Sequence, residues 1–95
     1  MGEGAIYPKA WGRVHSLKIA PEWFAAVMDG RKPFEIRRND RGFQVGDVLN
    51  LEEYDAREGH GYTGRELLRR VSFLSTYHQE PGFVVLGLIP WVPTT

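Results

Sequence analysis

The sequence predicts a mostly-β domain of the α+β class, a small barrel of five to six strands with one or two short helices. Three observations carry that expectation. Apolar and polar residues alternate in Val14–Ile19 and again in Pro33–Arg38, as strands buried on one face require. Unambiguous helical spacing occurs in one short stretch, after Pro21. Turn-forming clusters recur at close intervals, at Asn39-Asp-Arg-Gly42, Val45-Gly-Asp47 and Glu58-Gly-His-Gly61.

The elements follow in order. Met1 to Arg13 contains glycine, lacks periodicity and reads as a flexible arm; it has no apolar core of the kind a secretion signal needs. A single domain then spans residues 14–92. Its first strand is Val14–Ile19. Pro21 suits the first position of a helix, where the missing N–H costs nothing. Trp23, Phe24, Val27 and Met28 make one apolar helical face, which reads as core, and Gly30 supplies the stop. In Pro33–Arg38, Phe34 and Ile36 point one way and Glu35 and Arg37 the other. Val48–Tyr54 is the next strand. Glu66–Tyr77 fits two readings: Leu67, Leu68, Val71 and Leu74 have helical spacing, whereas Val71, Phe73, Ser75 and Tyr77 suit a strand. The β-branched and aromatic content favours strand for its second half. Phe83–Ile89 is apolar on both faces and so central. One helix plugging an end of the barrel completes the expectation.

Composition narrows the functional classes. The chain has no cysteine, which removes disulfides and thiolate metal sites. Its three histidines are unevenly scattered and form no zinc pattern, and no cofactor is implied. The longest apolar run, Phe83–Val92, is far shorter than the roughly 20 residues of a membrane helix, so no membrane partner and a cytoplasmic location are expected. Twelve basic residues balance twelve acidic ones, but the two signs are segregated. Arg31, Lys32, Arg37, Arg38 and Arg41 crowd one stretch, while Glu52, Glu53, Asp55 and Glu58 crowd another. Such polarity can hold a locally positive cleft at zero net charge; equally, the two stretches can lie on neighbouring strands and neutralise each other.

Several segments together resemble one family. They are His15-Ser-Leu-Lys-Ile19, Pro21-Glu-Trp-Phe24, Gly30 to Arg41, Val45-Gly-Asp-Val48 and Tyr62-Thr-Gly-Arg65. The pattern is similar to the ASCH superfamily, whose fold is PUA-like, and within it to a branch of short bacterial and phage proteins of unknown function. The resemblance implies a pseudo-barrel with an RNA- or nucleotide-binding cleft bordered by a G-x-K-x-x-E-x-R motif, met by Gly30, Lys32, Glu35 and Arg37. One ASCH branch resembles amidohydrolases that deacetylate acetylated cytidine. Lys32 matches the lysine of that branch, whereas Glu35 stands where it has threonine.

The residues support this on physical grounds too. On a strand, Glu35 and Arg37 share a face about 6.5–7 Å apart, and Lys32 precedes them near the helix end. Together they can read a base edge, the carboxylate accepting from an exocyclic amine and the cation gripping phosphate or a purine edge; alternatively they are an ion-pair network closing the barrel end. Arg38 and Arg41 are candidate phosphate contacts flanking a turn. Tyr62 and Arg65 form a candidate second wall, a ring to stack on a base and a cation for phosphate, or else a turn with Tyr62 in the core. The expected partner is RNA or a nucleotide-like ligand. In an enzyme, Lys32 would serve as nucleophile or electrostatic stabiliser and Glu35 as general base.

Overall fold

The computed structural model describes residues 12–92. Five strands and one helix follow one another as β1 (Val14–Ile19), α1 (Pro21–Met28), β2 (Phe34–Arg38), β3 (Val48–Asp55), β4 (Gly61–Ser75) and β5 (Phe83–Pro90). The strands form one sheet in the order β1-β3-β4-β5-β2. β1 runs parallel to β3, and the other neighbours are antiparallel. The domain is thus mostly β with one helix, as expected. The presumed arm lies outside the described residues up to Trp11, but Arg13 is anchored: its guanidinium donates to the Gly42 carbonyl and sits 3.1 Å from Asp47 Oδ2.

The sheet curls into a half-barrel whose concave side holds the core. Leu17 and Ile19 of β1, Leu49 and Leu51 of β3, Val71 of β4, and Val84, Leu86 and Leu88 of β5 all point into it. Phe24 and Val27 of α1 and Phe43 of the β2–β3 connection fill the remaining space. The helix begins without a side-chain cap, Ala20 being extended and Pro21 occupying the first turn. It ends at Gly30, whose φ of +88° only glycine adopts cheaply. Eight residues bury one stripe only, Phe24, Ala26 and Val27. Trp23, expected in the core, is 52% exposed because it lies about 100° around the helix from Phe24 and overhangs the edge of the sheet.

β4 resolves the ambiguity after Glu66. It is one continuous 15-residue strand, bulged twice. At the first bulge, opposite Glu53, Gly64 takes a φ of +90°. At the second, Ser72 is an extra residue between Val71, paired with Leu88, and Phe73, paired with Gly87. One extra residue inverts the side-chain alternation. Val71 and Leu74 therefore both face the core although three residues apart, which is why the segment imitates helical spacing. β5 lies inside the sheet between β4 and β2, as its apolar character suggested.

β1 and β2 are the two edges, and the curl brings them face to face without a backbone ladder between them. Arginine side chains take the ladder's place. Arg41 Nη1 donates to the Ser16 carbonyl at 2.8 Å, and Arg37 Nη2 donates to the Lys18 carbonyl at 2.5 Å. These carbonyls alternate along β1, as outward-facing groups of an edge strand must. The seam between β1 and β2 is thus laced by guanidinium groups, and where it widens a cleft opens.

Candidate functional site

The cleft occupies ≈ 360 Å³ between the end of β1 and the start of β2. Lys18, Ile19 and Ala20 form one side, Trp23 of α1 overhangs it, and Lys32 with Phe34–Arg37 forms the other. Its polar centre is Glu35, which is only 4% exposed. A buried carboxylate must be compensated, and two cations do so. Lys32 Nζ lies 3.1 Å from Glu35 Oε2 and donates at 2.9 Å to the Phe34 carbonyl. Arg37 Nη2 lies 3.9 Å from Glu35 Oε1, beyond hydrogen-bonding reach. Among the described residues Glu35 Oε1 therefore takes no hydrogen bond, and an acceptor is left on the cleft wall. The Lys32 ammonium lies 5.0 Å from the centre of the Phe34 ring and 5.8 Å from that of Trp23.

The local sequence explains this arrangement. Glu35 and Arg37 share the inward face of β2, whereas Phe34 and Ile36 are turned outward, Ile36 being 51% exposed. An amphipathic strand ordinarily turns its apolar side inward. β2 does the reverse because its inner face borders the seam, where Lys32, Glu35 and Arg37 satisfy one another. Lys32 is brought to Glu35 by the turn after α1, held by its own N–H donating to the Ala26 carbonyl at 3.0 Å.

Of the seven residues singled out in the sequence, the structure brings together three: Lys32, Glu35 and Arg37. Arg38 lies on the outer face, its guanidinium 4.8 Å from the Phe83 ring centre. Arg41 spans the seam to Ser16. Arg65 is 4.8 Å from the centre of the Phe24 ring and donates to Met28 Sδ at 3.3 Å, fastening α1 to β4. Tyr62 does not line the cleft. It is exposed on the convex face of the sheet and meets the Tyr54 ring edge-on at 4.9 Å. Arg31, at the start of the basic stretch, pairs with Asp29 at 2.8 Å. Trp23 and Phe34 join the site instead, and their aromatic character was visible in the sequence although their exposure was not.

The acidic stretch does not neutralise the basic one. β3 pairs with β1 and β4, not with β2. Glu53 accepts from Thr63 Oγ1 at 2.6 Å, and Asp55 faces Arg57 at 2.6 Å and His60 at 3.5 Å. The Arg57 side-chain and backbone N–H groups hold the Asp55 carboxyl well below the usual carboxylate range. His15 is buried away from the cleft, its Nε2 2.8 Å from Asp47 Oδ2 and its ring edge-on to Phe43. Asp47 fastens the turn before β3, accepting also from the Gln44 N–H at 3.0 Å and from Arg13.

A half-barrel with a charged cleft in its seam defines the class: a small mostly-β domain with a buried acid between two cations at the seam of its sheet. The chain belongs to the family described as domain of unknown function DUF3850, whose model matches residues 14–88, from the first residue of β1 to Leu88 of β5. It is also similar to an uncharacterized 12.9 kDa protein in the GpA 3′ region of Escherichia phage P2, with 33% identity over 60 residues. That match covers 63% of this chain and 52% of the phage protein, so the chain spans about half the length of this relative.

Proposed function

We propose that this chain is an ASCH-like, PUA-like domain that binds RNA or a nucleotide through the seam cleft, acting in the cytoplasm. The observation that supports this most is the open acceptor, Glu35 Oε1, in a cleft walled by Trp23 and Phe34 and flanked by Lys32 and Arg37. A base slides between apolar and aromatic walls. Its exocyclic amine donates to Glu35 Oε1, while an adjacent ring acceptor or a phosphate oxygen is met by Arg37. Lys32, 3.1 Å from Glu35 Oε2, holds the carboxylate in place.

The test is binding of single-stranded RNA and of 5′-mononucleotides across a salt series. Affinity falls as salt rises, with a slope of roughly −0.7 per neutralised phosphate on single strands. Glu35→Gln exchanges half of the acceptor for a donor and lowers affinity for amine-bearing bases about tenfold, about 1.4 kcal/mol. Absence of binding at low salt retires the proposal.

A hydrolytic reading draws on one further observation, the 3.1 Å contact of Lys32 Nζ with Glu35 Oε2 inside the same cleft. In it Glu35 acts as general base and Lys32 as nucleophile or stabiliser. Acetylated cytidine incubated with the protein and chromatographed decides it: no release of cytidine removes this reading and leaves binding untouched.

A further inference from the structure

We propose that a second base platform, formed by Tyr62, Tyr54 and Lys18 on the convex face, continues the cleft around the edge of the sheet, so that the ligand is a single-stranded nucleic acid of two or more nucleotides. This rests on the reading of the cleft as a nucleotide site. Lys18 links the two places. Its backbone carbonyl accepts from Arg37 within the seam, and it lines the cleft. Its side chain is exposed and turns to the other face, placing Nζ 4.4 Å from the Tyr54 ring centre and 5.6 Å from that of Tyr62.

Three features suit this surface to a second nucleotide. Tyr54 and Tyr62 are register partners across β3 and β4, their rings edge-to-face, so Tyr62 is held in one orientation while 56% exposed. A rigid, exposed ring is what base stacking needs, and stacking tolerates any base because every base offers a π face. The Gly64 bulge sets that orientation, since it makes Tyr54, and not a neighbour two residues on, the partner of Tyr62. Lys18 has no ion-pair partner among the described residues: Glu52, its register partner, lies beyond ion-pair distance, and Glu66 is engaged by Asn50 at 2.6 Å. A cation at the rim between two base sites is placed for the phosphate that joins them. β4 lies two strand spacings from β1, about 10 Å, so the platform begins beside the strand that borders the cleft.

Titration of the protein with the four 5′-mononucleotides and with mixed-sequence single-stranded RNA of two and six nucleotides tests this. The oligonucleotides bind on the order of tenfold more tightly than the best mononucleotide. Tyr62→Leu abolishes that advantage while leaving mononucleotide affinity unchanged, and Tyr62→Phe retains it. Lys18→Gln reduces the magnitude of the salt slope for oligonucleotides by roughly 0.7. Equal affinity for mononucleotides and oligonucleotides, or a Tyr62→Leu loss that is the same for both, overturns the second platform and leaves the cleft standing. Binding of neither ligand class overturns the cleft and the platform together.

Discussion

Asp47 and Glu35 are both buried carboxylates, and their surroundings give them different work. Burial pushes the Asp47 carboxyl up, but hydrogen bonds from His15, Arg13 and the Gln44 N–H outweigh it and leave it below its ordinary 3.8. A carboxyl depressed by folding contributes stability that is complete above the ordinary value and is lost as pH falls through the folded one. Asp47→Asn therefore costs about 1–3 kcal/mol at neutral pH by removing the charge from three donors, and it flattens the acid limb of stability below pH 3.8. Urea unfolding of both proteins across the acid range measures this. An undiminished acid dependence in the variant would place the responsible carboxylate elsewhere. Every neighbour of Asp47 belongs to the fold, which is why it carries no site. Glu35, by contrast, has one oxygen engaged by Lys32 and one left open on a cleft, so its chemistry is directed outward.

The Ser72 bulge is the element-scale feature on which the core depends. It sets Val71 and Leu74 on the same face, so removal of one residue must turn one side of β4 inside out. Deletion of Ser72 is expected to cost at least about 2–3 kcal/mol, the burial of one large apolar side chain, whereas Ser72→Ala stays within about 0.5 kcal/mol. Denaturant midpoints of the two variants check it, and equal midpoints would mean that the register slips at no cost. The same bulge marks the boundary of what the amino-acid pattern could reveal. The strands β1, β2, β3 and β5, the helix after Pro21 and its stop at Gly30 are legible because each keeps a single pattern between its turn signals, alternating in β1 and β2 and continuously apolar in β5. In β4 the period breaks in the middle, and no residue at that point announces it, serine being unremarkable in strand or helix. Trp23 was misplaced for a related reason: helical spacing tells which residues share a stripe, but not how wide a stripe the sheet beneath can cover.

At the scale of the whole molecule, the seam decides which arginines are structure and which are site. The grouping of Lys32, Glu35 and Arg37 was legible from strand alternation and short spacing. The places of Arg38, Arg41 and Arg65, and the position of Tyr62 outside the cleft, were not, because they depend on which strands become edges and how tightly the sheet curls. The curl sends Arg41 to the carbonyl of Ser16, a residue only 5% exposed, and sends Arg37 to the carbonyl of Lys18 in an exposed bond beside the cleft. Loss of a charged donor leaves a buried carbonyl unsatisfied at a cost of about 1–3 kcal/mol, whereas water substitutes at an open one. Arg41→Ala is accordingly expected to lower the melting temperature by about 4–8 °C per kcal/mol lost and to leave nucleotide affinity unchanged. Arg37→Ala should melt closer to the parent and bind several-fold more weakly, with a shallower salt dependence. Thermal unfolding and binding titrations on the same two preparations provide the comparison. If Arg41→Ala weakens binding as much as Arg37→Ala does at matched folded fraction, the seam does not divide its arginines in this way, and the ligand contacts the whole length of the gap between β1 and β2.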